Sequence, residues 1–397
     1  MGIHHLNKWI HQMYPNVYQE KHLEYYDHVL IDMNYLLHYC SYHINDIECI
    51  YNKLYHLIDT ILNNVVPTKS ITFALDGVAP LAKLKLQKQR RKHMIKNNVE
   101  IQLSVGTEFM NNLKDKMKNY LEFVSKVFNV TVNFDDSDYD EAEIKIERKI
   151  IELSNNSNNV NDSFIIISSD TDVIVMMMML KQYDSIYIYI IRDSILSLSD
   201  LILEHVRRYG CSENPNNDFA IISLLLGNDY LPKIKFLTFK IWDYYSLVLI
   251  NNKRGLYYND NIDIYFFSMM LSQIILFRPN LIKLKIDNDL CYNYYHGIKW
   301  CIDMYKNGLC KDYKYYYTFR YSPNPWELIL CSKQFENIKI NNNKPLPKEL
   351  YNIIIIPNQC KYKKMYTQFM NQNKNKLDNL IDNYDEIIQL FQMIEFE

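Results

Sequence analysis

Acidic residues recur directly after short apolar runs of this chain. The runs HVLIDMN (28–34), SITFALDG (70–77) and DSFIIISSDTD (162–172) each carry an acid at or near their end. A single acid in such a place more often caps a helix or a turn than it catalyses a reaction. Acids at three such ends, joined by those of DEAEIKI and LLLGNDYLP, are harder to explain as caps. The candidate set is Asp32, Asp76, Glu141, Glu143, Asp170, Asp172 and Asp229.

Carboxylates that converge on one site repel one another, and their pKa values rise unless a cation neutralises them. Hard oxygen ligands without a suitable cysteine or histidine cluster indicate Mg²⁺, with Mn²⁺ as an alternative. Two such ions about 3.5 to 4 Å apart can activate a water molecule and stabilise both oxygens of a phosphodiester displacement. The acids therefore predict metal-assisted hydrolysis of a phosphodiester.

A basic segment follows the second of these runs. LAKLKLQKQRRKHMIK (81–96) contains no acidic residue. In a helix, its candidate phosphate ligands would follow an i, i+4, i+7, i+8 pattern and share one face. They are Lys83, Gln87, Arg90 and Arg91. Charge alone fits a solvated basic helix equally well, but the position beside Asp76 favours a phosphate clamp, for which arginine offers bidentate donors.

The elements that would position these residues alternate between strand and helix. Helix-like segments at 45–65 and 141–156 separate the apolar runs, which predicts βαβ units and an α/β fold with a parallel sheet. In such sheets a ligand lies at the carboxyl ends of the strands. Glu141 and Glu143 do not share a helix face, so both could reach that edge only from the first turn of their helix.

The pattern changes from about residue 245, where aromatic-rich segments such as YKYYYTFRYSPNPW replace the acid-terminated runs. We predict a nuclease core over 1–245 and an aromatic-rich, mostly helical part over 246–397 packed on it. Residues 363–394 are expected to be largely helical. The aromatic side chains could stack on bases, although most of them are expected to lie in the core.

Composition limits the class of protein. The chain has 397 residues, 48% of them hydrophobic and 23% charged, which excludes wholesale disorder. No apolar run approaches the roughly 18 residues of a membrane span, and the first residues lack the apolar centre of a signal peptide. With 44 basic and 46 acidic residues, nucleic-acid binding requires a local basic patch. We expect a soluble protein of the cytoplasm, with the nucleus as the alternative.

Several motifs together resemble the Xrn-type 5′→3′ exoribonucleases. They are MGIHHLNKWIHQMYP, LIDMNYLLHYCS, FALDGVAPLAKLKLQKQRR, VGTEFM, DEAEIKI, ISSDTDVIVM, LLLGNDYLPKI and NYYHGIKWCIDMYKNGLCKDYKYYYTFRYSP, and they extend over most of the chain. DGVAP-x-AK-x₃-Q-x₂-RR and GTEFM are specific to that family, whereas acid-terminated strands also fit the wider group of flap-type 5′ nucleases. The resemblance implies a PIN-like parallel-sheet core.

The resemblance also implies roles for individual residues. The seven acids would hold two metal ions, and Lys83, Gln87, Arg90 and Arg91 would form a pocket for a 5′-monophosphate. In the family a histidine matching His38 and a tryptophan stack on the first base, with an asparagine matching Asn34 close by; here Tyr315 takes the tryptophan position. Two departures stand out: DEAE replaces the usual GEGE, and the chain resembles a minimal member, as from a large DNA virus.

We therefore predict a divalent-metal-dependent 5′→3′ exoribonuclease that degrades decapped, 5′-monophosphorylated single-stranded RNA to nucleoside monophosphates, as in mRNA decay. We expect a monomer without a membrane partner, and a decapping enzyme is the candidate protein partner. Two alternatives stay open at this point: a flap-type 5′ nuclease acting on DNA in replication or recombination, and a non-catalytic RNA-binding relative.

Overall fold

A computed structural model of the chain describes most of residues 2–355. The gaps are residues 21–23, 43, 45, 85, 88–102, 157–160, 191–193 and 283–284, and Thr367 and Asn371 are also described. Arg90, Arg91 and nearly all of the predicted helix at 363–394 therefore lie outside the described residues.

The central feature is a seven-stranded sheet with the order β1-β7-β6-β5-β2-β3-β4. Its strands are β1 (Tyr18–Gln19), β2 (Glu24–Asp32), β3 (Val65–Ala74), β4 (Thr131–Asp135), β5 (Phe164–Ile167), β6 (Ile186–Tyr189) and β7 (Ile195–Ser197). The strands from β6 to β4 are mutually parallel, whereas β7 runs antiparallel to both β6 and β1. A separate two-stranded ribbon pairs β8 (Tyr257–Tyr258) with β9 (Asn261–Ile262).

The strand order places a topological switch point at the middle of the sheet. From β2 the chain proceeds outward through β3 and β4, and then returns to build β5 and β6 on the other side. Asp32 is level with Ala74 of β3, and Ile31 is level with Ile167 of β5. The carboxyl ends of β2, β3 and β5 therefore lie side by side, at the edge where doubly wound sheets bind ligands.

Helices connect the strands and form most of the region after β7. The α-helices are α1 (Leu6–Met13), α2 (Met33–Ser41), α3 (Ile47–Asn64), α4 (Glu108–Phe128), α5 (Ala142–Ser154), α6 (Thr171–Met178), α7 (Leu198–Tyr209), α8 (Pro215–Leu225), α9 (Ile241–Asn251), α10 (Ile264–Phe277), α11 (Asn288–Asn307), α12 (Pro325–Leu330) and α13 (Lys348–Ile355). Residues 81–84 and 86–87 are also helical. No helix within the described ranges is both long and apolar enough to cross a membrane.

The mixed α/β fold with a largely parallel sheet is confirmed. The helix expected at 45–65 is α3, and its first turn is capped by the Asp46 side chain, which accepts a hydrogen bond from the backbone N–H of Glu48. The helix expected at 141–156 is α5. The predicted boundary near residue 245 falls inside α9, and one apolar core contains residues from both sides of it.

The two faces of the sheet pack into different apolar clusters because side chains alternate along a strand. Leu30 and Ile166 point into a large cluster that extends to the C-terminal helices, whereas Ile31 and Ile165 point into a second cluster with α3 and α4. A third, small cluster joins α13 to residues 78–84. The C-terminal region is thereby attached directly to the start of the basic segment.

A buried histidine in the large cluster makes the stability of the folded protein depend on pH. His205 is 2% exposed, packs its ring against Trp242 and lies 2.8 Å, through Nδ1, from the Tyr14 hydroxyl. Burial lowers the pKa of His205 to about 3, below the ordinary value of about 6.5 that the unfolded chain would have. The contribution of neutral His205 to the free energy of unfolding is therefore complete above pH 6.5. It is lost as the pH falls from 6.5 towards the pKa of His205 in the folded protein.

We expect the free energy of unfolding to fall by about 2 kcal/mol between pH 7 and pH 5 through His205 alone, because each pH unit below 6.5 costs about 1.4 kcal/mol. In His205→Gln, whose carbonyl oxygen can still accept from Tyr14, this part of the loss should disappear. Urea unfolding at both pH values measures it. Equal pH sensitivity in the two proteins would contradict the assignment.

Candidate active site

Asp32 is the last residue of β2 and directly precedes α2. Its carboxylate accepts hydrogen bonds from the first turn of α2 and from the residue that follows β5. Oδ1 accepts a hydrogen bond from the backbone N–H of Tyr35 at 2.9 Å, and Oδ2 accepts one from the Ser168 hydroxyl at 3.1 Å, across the switch point. The residue is 4% exposed. Burial, followed by repulsion from the Asp76 carboxylate, raises the pKa of Asp32 to about 7.

Asp76 follows β3 and binds the start of the next acidic element. Its Oδ1 accepts a hydrogen bond from the backbone N–H of Ala142 at 2.8 Å, and its own backbone N–H donates to Oδ1 of Asn34 at 3.0 Å. Burial raises the pKa of Asp76. These two bonds hold α2, β3 and the first turn of α5 together at one edge of the sheet.

Glu141 and Glu143 both reach this edge from the beginning of α5, as the sequence required. Glu141 is the residue that precedes the helix and Glu143 lies in its first turn. Burial raises the pKa of Glu143 well above its ordinary value, and the Asp32 carboxylate raises it further. Burial also raises the pKa of Glu141, while the neighbouring ammonium of Lys83 opposes that rise.

Asp170 and Asp172 follow β5 at the beginning of α6. The Asp170 side chain accepts a hydrogen bond from the backbone N–H of Asp172 at 3.0 Å and so caps the helix. Asp172 is 5% exposed, and its Oδ1 has no hydrogen-bond partner within the described part of the chain. Burial and then the Asp170 carboxylate raise the pKa of Asp172 well above its ordinary value.

Lys83 connects the remaining acid to the site. Its Nζ lies 2.8 Å from Oδ2 of Asp229 and 3.1 Å from Oε1 of Glu141, and only 9% of its side chain is exposed. Burial by itself lowers the pKa of Lys83, but the two carboxylates outweigh it and the pKa lies well above the ordinary value. Tyr230 completes the group by donating its hydroxyl hydrogen bond to Oε2 of Glu141 at 3.0 Å.

These side chains surround a cavity of about 210 Å³. It is lined by Asp32, Asn34, Tyr35, His38, Asp76, Lys83, Gln87, Leu103, Ser104, Val105, Glu141, Glu143, Ser168, Ser169, Asp170 and Tyr351. The structure thus brings most of the predicted acids to one cavity. The carboxylates of Asp172 and Asp229 are outside its lining, and Asp229 is linked to it through Lys83.

The donor set fits a hard divalent cation. Its members are carboxylates, burial raises the pKa values of Asp32 and Glu143, and Asp172 Oδ1 is a buried oxygen without a hydrogen-bond partner in the described ranges. As they stand, no three or more acidic, histidine or cysteine side chains of the described residues have the spacing of a metal site. The Lys83 ammonium acts as the counter-ion of Glu141 and Asp229 in this arrangement.

The other predicted site residues have different positions in the structure. It places Asn34, His38 and Gln87 on the cavity, whereas Arg90 and Arg91 are outside the described residues. The expectation that Tyr315 stacks on a base needs correction. Tyr315 is 5% exposed, its ring packs on Trp300 at a centroid distance of 4.9 Å, and it does not line the cavity. Its aromatic surface is already used in the core.

Several residues of the site were not predicted, among them Ser168, Tyr230 and Tyr351. Ser168 binds Asp32, Tyr230 binds Glu141, and Tyr351 forms part of the cavity wall. The first two are adjacent in sequence to predicted elements, Ser168 at the end of β5 and Tyr230 directly after Asp229, so their positions could have been found. For Tyr351, the sequence offers no signal, since it lies more than 100 residues after Asp229, the last of the predicted site acids.

A close backbone approach at Gly77 holds the Asp76 loop in place. A Cβ atom on Gly77 would lie 2.5 Å from the backbone nitrogen of Tyr139 and 2.6 Å from its carbonyl carbon. We expect Gly77→Ala to destabilise the protein by about 1 to 3 kcal/mol and to displace Asp76. Thermal unfolding and metal titration of the variant measure both effects. If the melting temperature and the metal affinity of Gly77→Ala equalled those of wild type, the loop would be able to accommodate the added methyl group without displacing Asp76.

Comparison with known proteins gives a family match for the N-terminal half. Residues 1–102 and 93–194 match the family described as XRN 5'-3' exonuclease N-terminus. Human 5'-3' exoribonuclease 1 is 28% identical over 152 residues, covering 30% of this chain and 9% of the human protein. The Saccharomyces cerevisiae 5'-3' exoribonuclease 1 is 28% identical over 152 residues, covering 30% and 10%. The matches thus span about a tenth of these relatives' lengths.

Solved structures that are similar to the chain share little sequence identity with it. The catalytic core of Rad2 in complex with a DNA substrate has a TM-score of 0.44 and 14% identity, covering 90% of this chain and 99% of that chain. The bacteriophage T5 D15 flap endonuclease in a complex with DNA and metal ions has a TM-score of 0.34 and 13% identity, covering 71% and 97%.

Proposed function

We propose that the chain is a divalent-metal-dependent 5′→3′ exoribonuclease, because residues 1–194 match the family described as XRN 5'-3' exonuclease N-terminus. Its substrate is single-stranded RNA with a 5′-monophosphate, and its products are nucleoside monophosphates. The observation that carries the proposal is the group of buried carboxylates around one cavity whose wall also includes the start of the basic segment.

The acids of the site would hold the metal. These are Asp32, Asp76, Glu141, Glu143, Asp170, Asp172 and Asp229, and Mg²⁺ is the cation that suits them best. When bound, such ions supply an activated water molecule and stabilise the charge that develops on the displaced oxygen. Because burial raises the pKa values of Asp32 and Glu143, a cation must displace protons from these carboxylates when it binds. A divalent ion is better suited to this displacement than a monovalent ion, because it attracts the carboxylates more strongly.

Neighbouring side chains keep the carboxylates in fixed orientations. Ser168 and the backbone N–H of Tyr35 both donate to Asp32, so its two oxygens cannot rotate freely. The hydroxyl of Tyr230 does the same for Glu141. Fixed donors and acceptors of this kind lower the reorganisation that accompanies the reaction.

The terminal phosphate would bind on the wall that carries Gln87, with Arg90 and Arg91 following in the same basic segment. Amide and guanidinium donors match phosphate oxygens. A cap or a triphosphate would not fit a pocket built for one phosphate group. His38 lies on the same cavity and offers a ring to the first base. Recognition is thus steric and electrostatic, and it does not depend on base identity.

The test uses the purified protein and 3′-labelled RNA that carries a 5′-monophosphate, triphosphate or hydroxyl, together with DNA of the same sequence as single strand and flap. Each is incubated with Mg²⁺ or EDTA, and Asp170→Ala controls for contaminating nucleases. We expect degradation of the monophosphorylated RNA alone, only with Mg²⁺ and only by the wild-type protein. Cleavage of DNA flaps in preference to RNA would show that the substrate is DNA. RNA binding without cleavage would show that the protein is not a nuclease.

A further inference from the structure

The last described helix contributes one side chain to the cavity wall. Tyr351 of α13 is 3% exposed and lines the cavity, and its hydroxyl donates a hydrogen bond to Oε1 of Gln87 at 2.7 Å. The two residues are 264 positions apart in sequence. The C-terminal region therefore contacts the part of the cavity wall that carries Gln87 through a specific polar bond as well as through apolar packing.

The position of the Tyr351 hydroxyl is held by the packing of α13. Leu350 and Ile354 on either side of it are buried in the same cluster as Leu81 and Leu84 of the basic segment. The Lys348 ammonium also lies 3.0 Å from Oδ2 of Asp138. A phenol ring anchored in this way can move little, so its hydroxyl is a fixed donor.

The direction of this bond decides which end of the amide is available to a ligand. A glutamine amide has one oxygen that only accepts and one nitrogen that only donates. Tyr351 engages the oxygen, which leaves the two N–H donors of Gln87 for other acceptors. Without this bond the amide could turn its oxygen to the cavity, where it would repel the oxygens of a phosphate.

We propose that Tyr351 is a positioning residue that holds the Gln87 amide with its N–H₂ group toward the terminal phosphate and thereby selects anionic 5′ ends. This inference rests on the proposed function, because it assigns Gln87 to a phosphate. It adds a residue from the C-terminal region to the selection of the substrate. Tyr351 acts through Gln87 and takes no part in bond breaking.

The test measures binding, so that it does not depend on cleavage. The dissociation constants of a short RNA with a 5′-monophosphate and of the same RNA with a 5′-hydroxyl are measured by fluorescence anisotropy in Ca²⁺, a hard cation that also takes carboxylate ligands. The wild-type protein should prefer the monophosphate. Tyr351→Phe keeps the ring and the packing, and we expect it to reduce this preference about threefold to tenfold by weakening monophosphate binding alone.

Three further variants give the result its meaning. Gln87→Ala should lose the same preference, and adding Tyr351→Phe to it should change the preference by less than about twofold, because the two residues act as one unit. Tyr295→Phe is the matched control, since it also removes a buried tyrosine hydroxyl, which donates to the Leu328 carbonyl at 2.6 Å. It should leave the preference unchanged.

Distinct results would overturn the inference. An unchanged preference in Tyr351→Phe beside a lost one in Gln87→Ala would remove Tyr351 from recognition. Equal weakening of both RNAs with a lower melting temperature would give it a purely structural role, and equal binding of both RNAs by the wild-type protein would exclude the selection itself. Failure of the proposed function is distinguishable, because it shows as selective binding of the 5′-phosphate without any RNA cleavage in Mg²⁺.

Discussion

The Asp32→Asn variant is expected to lose about 10³-fold in the rate of RNA cleavage while it gains stability in the absence of metal. The loss follows because a metal site contributes several kcal/mol to transition-state stabilisation, and about 4 kcal/mol corresponds to that factor. An asparagine has nearly the same shape as the aspartate, and its oxygen can still accept from the backbone N–H of Tyr35. The fold should therefore persist.

The gain in stability follows from the sign of the pKa shift. The pKa of Asp32 in the folded protein is about 7, above the value of about 3.9 expected for the unfolded chain. As the pH rises from about 4 to 7, the folded wild-type protein loses stability, because it holds a proton that the unfolded chain has released. At pH 8 in EDTA, Asp32→Asn should unfold at a higher temperature than wild type. Addition of Mg²⁺ should raise the melting temperature of wild type more than that of Asp32→Asn.

The control lies near the middle of the same strand. Asp27 accepts hydrogen bonds from the backbone N–H of Ser163 and from Thr68, and its pKa is lowered by these bonds although burial opposes the shift. Asp27→Asn should therefore lose stability near neutral pH and retain cleavage. Retained cleavage in Asp32→Asn, or a lower melting temperature at pH 8, would refute the assignment of Asp32 to the metal site.

Removal of Lys83 should have the largest effect on stability. Its ammonium lies between the buried carboxylates of Glu141 and Asp229, and breaking a buried ion pair by removing one partner costs about 3 to 5 kcal/mol. Lys83→Met keeps most of the side-chain volume and removes the ammonium that lies beside both carboxylates. Chemical denaturation in EDTA at pH 8 should show this loss.

A divalent cation should reverse part of this loss, because it can neutralise the same two carboxylates. We therefore expect Mg²⁺ to raise the melting temperature of Lys83→Met more than that of wild type. Lys311→Met serves as the comparison, since Lys311 and Asp303 form a partly exposed pair worth at most about 1 kcal/mol. A Lys83→Met protein as stable as wild type in EDTA would show that the two acids are protonated without it.

Local sequence patterns were sufficient for the parallel half of the sheet. The apolar runs that precede the acids became the carboxyl-terminal parts of β2 and β3 and the whole of β5, because strand segments buried on both faces are apolar and polar residues follow where the burial ends. The spacing of Glu141 and Glu143 likewise indicated that both could reach the site only from the beginning of α5, where the structure has them. These features depend on residues close together in the chain.

Features that depend on distant contacts were not predictable. The antiparallel strand β7 has three residues and β1 has two, which is too short for a periodic signal. Tyr315 lies in an irregular segment where neither a period of two nor one of 3.6 indicates which side chains are buried. Tyr351 reaches the cavity only because α13 packs on residues 78–84, and no local pattern encodes that contact.

The origin of the cavity wall in α13 has a consequence for protein synthesis. The acids of the site lie between residues 32 and 229, whereas Tyr351 is the most C-terminal residue of the cavity. A ribosome that adds about 5 to 20 residues per second needs roughly 6 to 24 s to proceed from Asp229, the last of these acids, to Tyr351. During that interval the nascent chain carries all of these acids but lacks the hydrogen bond from Tyr351 to Gln87. The site is therefore completed only late in translation, after the sheet that carries its acids has emerged from the ribosome.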